Sequence, residues 1–112
     1  MAISPVTDWR ILAEFRALAP RPETGALALH NFVPELAGRP VYVAIGNNDE
    51  RVGTLQCVDF GRALMEADPA AGETAGRVEL HVAGEGGHML SDDWGDAGGR
   101  YLLARLAEDG AA

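Results

Sequence analysis

The chain lacks several things that would have set its class at once. No apolar run approaches the roughly 20 residues that a bilayer-spanning helix needs, so no membrane partner is expected. A second cysteine is missing, which leaves Cys57 without an intrachain disulfide partner. The opening residues, MAISPVTDW, carry neither a basic segment nor a long apolar one, so a secretory leader is not expected. Together these absences point to a cytoplasmic setting. Basic charge is also scarce, with nine Lys and Arg against seventeen Asp and Glu, a net charge of −8 and a pI near 4.7. The basic residues are scattered rather than gathered in a stripe, and the acidic excess repels phosphate backbones, so nucleic acid is not an expected partner.

What is present is one small unit. A chain of 112 residues, 47% hydrophobic and 23% charged, has the composition of a globular protein and room for a single core near the lower limit of stable burial. Neither repeats nor low-complexity segments interrupt it, and residues 1–112 read as one domain. PVYVAIG, residues 40–46, is an unbroken apolar run rich in β-branched side chains, the pattern of a strand buried on both faces. TLQCVDFGRALMEAD follows a polar turn and places Cys57, Phe60, Gly61 and Leu64 at helical spacing, with Thr54 as the expected N-cap. A loop containing Gly and Pro leads to RVELHVAG, where Val78, Leu80 and Val82 alternate with Glu79 and His81 as in a strand near a sheet edge with one polar, solvated face.

Two further helices are expected at the ends of the chain. One covers 7–18, with Leu12, Phe15 and Leu18 on one side behind a Thr7 or Asp8 cap; the other covers 96–110, with Leu102, Leu103 and Leu106 together. Residues 19–39 read as a long irregular connection in which LALHNF forms a helical turn, and MAIS has the character of a strand's last residues. Strand, helix and strand in alternation imply parallel strands joined by right-handed crossovers, so the expected fold class is α/β with a small parallel sheet flanked by helices in three layers.

Open α/β sheets place their sites just beyond the carboxyl ends of the strands. Asp49 follows the first clear strand in GNND, and His88 follows the second in GEGGHML. Neighbouring strands lie about 4.8 Å apart, so loops leaving the same end can join a carboxylate to an imidazole. In a hydrolytic triad such a carboxylate fixes the histidine tautomer and stabilises the imidazolium formed during proton transfer. Acid before histidine is the chain order of α/β-hydrolases.

On these residues the chain resembles, from about residue 3 to residue 108, the C-terminal part of an α/β-hydrolase of the dienelactone-hydrolase or prolyl-oligopeptidase branch. The segments that carry the likeness are SPVTDW after a strand end, VAIGNNDERV with its helix, and VELHVAGEGGHML with the closing helix. The resemblance implies a partial α/β-hydrolase fold, Asp49 as triad acid, His88 as triad base, and Val52 in the turn behind the acid. It implies no cofactor and no metal, and as substrate a small ester or a peptide.

The departure from that pattern is as informative. The nucleophile elbow G-x-S-x-G occurs nowhere, and Thr7 apart the only hydroxyls with loop character are Ser4 and Ser91, neither on a sharp strand-to-helix turn and both after the wrong element. The backbone donors of the family's oxyanion hole belong to segments that are also missing. The chain is therefore expected to be nearly inactive alone, as a truncation beginning after the nucleophile's helix or as one half of a split hydrolase with a complementary N-terminal half. The alternative is a non-catalytic α/β binding module, or a homo-oligomer formed through an open sheet edge.

Plainer readings stand beside each residue. Asp49 has an Asx-turn as its plainer role and His88 that of an ordinary loop histidine, each ranked behind the triad role. His81 reads as solvated, His30 as lacking a partner, and Cys57 as a packed thiol rather than a nucleophile. Asp92, Asp93 and Asp96 suit helix capping better than a hard cation. Trp9 and Trp94 read as packed against helix starts.

Overall fold

The computed structural model describes residues 1–68, 77–84 and 87–111. Its centre is β2, Val41–Gly46, which is buried from Tyr42 onward. Such burial explains why the run alternates no polar residue, and Pro40, which lacks a donor for the ladder, stands just outside it. Two parallel neighbours flank this strand: β1, Ala2–Ile3, on one side and β3, Val78–Ala83, on the other. The register sets Val43 opposite Leu80 and Ala44 opposite His81. Because side chains alternate, Val41, Val43 and Ile45 share a face with Val78, Leu80 and Val82, while Tyr42 and Ala44 share the other with Glu79 and His81. No described residue pairs with the outer edge of β1.

The first face is covered by α3, Thr54–Ala67, which buries Cys57, Phe60, Gly61 and Leu64 as their spacing predicts. A Cβ at Gly61 would come within 3.1 Å of Leu80 Cδ2, so the missing side chain lets the helix lie close against β3. Val43, Ile45, Val52, Cys57 and Leu12 form one buried cluster and Phe60, Leu64 and Val78 a second, with Val41 packed against both.

The second face is covered by α4, Asp92–Ala111. It starts ahead of the expected Asp96, because Asp92 and Asp93 fit the first turn, where the helix dipole favours negative charge. Its leucines do not form the seam predicted from their spacing: Leu103 is 70% and Leu106 58% exposed. The seam consists of Gly98, Tyr101, Leu102 and Arg105, at the same helical spacing one step around the cylinder. Gly98 lets the backbone rest on the strand, since a Cβ there would meet Tyr42 Cδ1 at 2.6 Å. Tyr101 then stacks on Tyr42, with ring centroids 5.9 Å apart, and the Arg105 guanidinium lies 5.2 Å from the Tyr101 ring centroid.

The expected helix over 7–18 is not continuous. Two 3-10 segments, Trp9–Ile11 and Ala13–Leu18, replace it. Between them Leu12 takes an extended backbone and is buried in the core, so burial of one side chain breaks a helix that propensity alone would have continued. Asp8, one of the two expected caps, does accept a hydrogen bond from the Arg10 backbone N–H at 2.9 Å. The Trp9 side chain, expected against a helix start, lies outside the described residues, as does the loop expected over 69–76. The connection over 19–39 holds more order than expected: α1, Pro22–Ala26, a 3-10 turn Leu29–Phe32, and α2, Val33–Leu36. Pro22 and Pro34 stand in the first turns of the two helices, where a missing N–H costs nothing. The architecture is thus α/β, a three-stranded parallel sheet between helices.

Candidate functional site

Three loops leave the carboxyl ends of the three strands, and each contributes one residue to a single cluster. Ser4 follows β1, Asp49 follows β2 and His88 follows β3. The Asp49 side chain is wholly buried, and its two oxygens have separate duties. Oδ1 accepts hydrogen bonds from the backbone N–H groups of Arg51 and Val52, both at 3.0 Å, while Oδ2 lies 3.0 Å from Nδ1 of His88. The turn role and the histidine-orienting role, alternatives at the level of sequence, are therefore held at the same time by one carboxylate.

Thr54 sets where that carboxylate stands. It is the first residue of α3 rather than its cap, a position taken by Gly53 with φ at +83°. Freed from capping, the Thr54 hydroxyl donates to the Gly46 carbonyl at 2.5 Å and accepts from the Asp49 backbone N–H at 3.0 Å. It thereby staples the acid loop to the end of β2. Gly53 is required beside it, because the left-handed φ suits glycine and a Cβ there would strike the Gln56 side chain. Thr54→Val keeps the shape and removes both bonds; a loss of about 1–3 kcal/mol is expected by urea denaturation, the cost of leaving buried polar partners unmade.

Ser4 fixes the histidine from the other side. Its backbone N–H continues the sheet by donating to Ala44 O at 2.8 Å, and its φ of +49° lies in the left-handed region, which costs a non-glycine residue about 1–2 kcal/mol. The strained backbone turns the hydroxyl toward β3, where it donates to the carbonyl oxygen of His88 at 2.7 Å. Main chain and ring of His88 are thus each anchored by a different strand.

An ionised carboxylate only accepts, so with Asp49 charged Nδ1 must carry the hydrogen and Nε2 the lone pair. The His88 side chain is 35% exposed, and Nε2 makes no hydrogen bond to a described residue. What results is an oriented, partly exposed ring whose second nitrogen has no described partner.

The two serines weighed as nucleophiles do other work. The Ser4 proton is committed to a carbonyl, and the next residue is Pro5, which has no N–H to offer an oxyanion. Ser91 is exposed and immediately precedes α4, with its carbonyl accepting from Trp94 N–H at 3.2 Å.

Comparison with known protein families, curated proteins and solved structures gives no match. The reading of the site rests on its own geometry.

Two histidines differ from expectation. His81 is not simply solvated: Nε2 lies 3.0 Å from Glu79 Oε2, and the ring packs between Tyr42 and Trp94 with centroids 5.1 and 5.7 Å away. Trp94 of α4 packs on the polar face of β3, where the His81 and Glu79 side chains remain 40% and 45% exposed, a partial cover that alternation along one strand does not reveal. His30, expected to lack a partner, meets the Phe60 ring edge-on at 5.8 Å. Among the described residues no group of three or more acidic, histidine or cysteine side chains is placed to hold a metal.

Cys57 is packed in the core, and burial, followed by the nearby Asp49 charge, pushes its thiol from an ordinary 9.0 up to about 11. Folding thus favours the protonated thiol. Stability should therefore fall as pH rises from about 9 to about 11, where the unfolded chain ionises and the folded one does not. At pH 8 the native thiol should resist iodoacetamide and react only after urea is added; alkylation at equal rates in both states would contradict this.

Proposed function

We propose that the chain supplies the acid and base of a serine hydrolase of the α/β-hydrolase type, acting on an ester or a similar acyl bond, with the nucleophilic serine coming from outside residues 1–112. The observation that carries this reading is the 3.0 Å contact of Asp49 Oδ2 with His88 Nδ1, made by a carboxylate whose other oxygen is occupied by the turn. Such an arrangement leaves Nε2 ready to take the proton of a hydroxyl as that hydroxyl attacks a carbonyl carbon, and then to return it to the leaving group. Asp49 holds the tautomer and offsets the charge on the imidazolium. Ser4 and Thr54 hold the two partners in register. The oxyanion donors, which carry a large part of the barrier reduction, belong with the serine.

Reconstitution tests the proposal. A polypeptide bearing G-x-S-x-G, taken from the reading frame that precedes Met1 in the DNA, is co-expressed with this chain and probed with a fluorophosphonate that labels activated serines. Labelling of that serine, lost on His88→Ala, supports the proposal. A preceding frame without such a segment, or labelling of Ser4 or Ser91 in the isolated chain, overturns it.

Self-association is the second reading, favoured by the exposed Leu103 and Leu106 on α4 and by an outer edge of β1 that no described residue pairs with. Light scattering decides it. A dimer that dissociates on Leu103→Glu supports the module, and a monomer at millimolar concentration removes it.

A further inference from the structure

A lone pair on an oriented, partly exposed ring need not wait for a hydroxyl. We propose that Nε2 of His88 is itself an acyl acceptor, taking the acyl group from donors with a good leaving group such as aryl esters. The inference rests on the geometry of the Asp49–His88 pair and not on the serine hydrolase reading.

Three observations carry it. First, the ring is held: Asp49 Oδ2 fixes Nδ1 at 3.0 Å and the Ser4 hydroxyl fixes the residue's carbonyl at 2.7 Å. The ring therefore meets an acyl carbon with little rotamer freedom left to lose. Second, no described side chain donates a hydrogen to Nε2, so its lone pair is not already spent. Third, the other imidazoles are poorer acceptors. His81, 40% exposed, has its outer nitrogen Nε2 against Glu79, which leaves only Nδ1, crowded by its own Cβ in a ring packed between Tyr42 and Trp94. His30 has no carboxylate hydrogen-bonded to its ring among the described residues, with the Phe60 edge beside it and Asp8 acting on it only through space.

Other than the α-amino group of Met1, whose adduct peptide mapping separates from one on His88, the rest of the chain offers little competition for an acyl group. All nine basic residues are arginines, so there is no lysine amine to acylate. The Cys57 thiol is buried, and burial raises the phenols of both Tyr42 and Tyr101 above their ordinary value.

The step balances without any further reagent. The Nε2 lone pair forms the N–C bond, and the C–O bond to the aryl group breaks, its electron pair leaving as phenolate. The ring becomes an acylimidazolium whose positive charge faces the Asp49 carboxylate through the Nδ1 proton. Water then adds to the acyl carbon and loses a proton to solvent, the N–C bond breaks, and the electron pair returns to Nε2. The sum is hydrolysis of the ester to acid and phenol, at a rate limited by the lack of an oxyanion hole.

Diethyl pyrocarbonate, an acyl donor whose histidine adduct survives peptide mapping, gives the site, and p-nitrophenyl acetate gives the turnover. The expected result is modification of His88 at least about tenfold faster than of His30 or His81 in the same molecules. That preference should disappear in denaturing urea. Asp49→Asn should slow both the adduct and p-nitrophenolate release by roughly tenfold, the rate equivalent of one charge-assisted hydrogen bond. Equal rates at the three histidines, a preference that survives urea, or p-nitrophenolate release unchanged by His88→Gln would each overturn the proposal. Such failures leave the serine hydrolase reading standing, whereas an acyl group on Ser4 or Ser91 would remove both.

Discussion

Replacing Asp49 by alanine is expected to lower the free energy of unfolding by about 3 kcal/mol, whereas Asp49→Asn should lower it by only about 1 kcal/mol. The difference follows from the division of labour between the two oxygens. Alanine leaves the backbone N–H groups of Arg51 and Val52, both of which bond to Oδ1, without a partner inside the turn. Asparagine keeps a carbonyl oxygen for those two donors. Its amide nitrogen then faces Nδ1 of His88 and, being a donor, forces the ring to present a lone pair there, which moves the imidazole hydrogen to Nε2. One variant therefore damages fold and site together, and the other inverts the site while sparing the fold. Urea denaturation reads the first effect and the imidazole 15N shifts read the second. Equal destabilisation by the two variants would mean that the turn does not depend on Oδ1.

A second large effect is expected at the centre of β2. Ile45 is fully buried in one cluster with Val43, Val52, Cys57 and Leu12. Ile45→Ala should cost about 2–5 kcal/mol, a large part of the 5–15 kcal/mol or so that holds a small domain together. By thermal denaturation the midpoint should drop by roughly 10 °C or more. Leu55→Ala, on the solvent side of α3 at 74% exposure, removes a comparable side chain and should stay within about 0.5 kcal/mol of the parent. A similar loss at both positions would show that the cluster around Ile45 is not the core.

Much of this arrangement could be read along the chain, and the parts that could not share a cause. The two longer strands, α3 and the joining of residue 49 to residue 88 follow from patterns of four to fifteen residues: an unbroken apolar run, a helical spacing, an acid and a histidine each just past a strand. Where a side chain's surroundings come from distant segments, the local pattern misleads. Leu12 breaks a helix because the core claims it. Leu103 and Leu106 face outward because Gly98 and Tyr101 fit Tyr42 better than leucine would. His81 is partly covered by Trp94, thirteen residues further on. The holders of the site, Ser4 and Thr54, were hidden for the same reason. Thr54 reads as a cap because it stands at a helix start, and a hydroxyl one residue past a strand carries no sign that its partner is 84 positions away. A signal did exist at Gly53: a glycine directly before a threonine at a helix start frees the threonine from capping.

The two-residue length of β1 governs how copies of this chain behave in concentrated solution. Among the described residues its outer rim has no ladder partner, a template for pairing that its shortness limits and that mutual repulsion also holds off. That repulsion comes from the net charge of −8, and it reaches only about 8 Å at physiological ionic strength. Added salt, or acidification toward the pI near 4.7, weakens it and brings rims together. Low-salt, mildly alkaline buffers should therefore keep the protein dispersed, and crowding by salt should be the first condition under which it gels or precipitates.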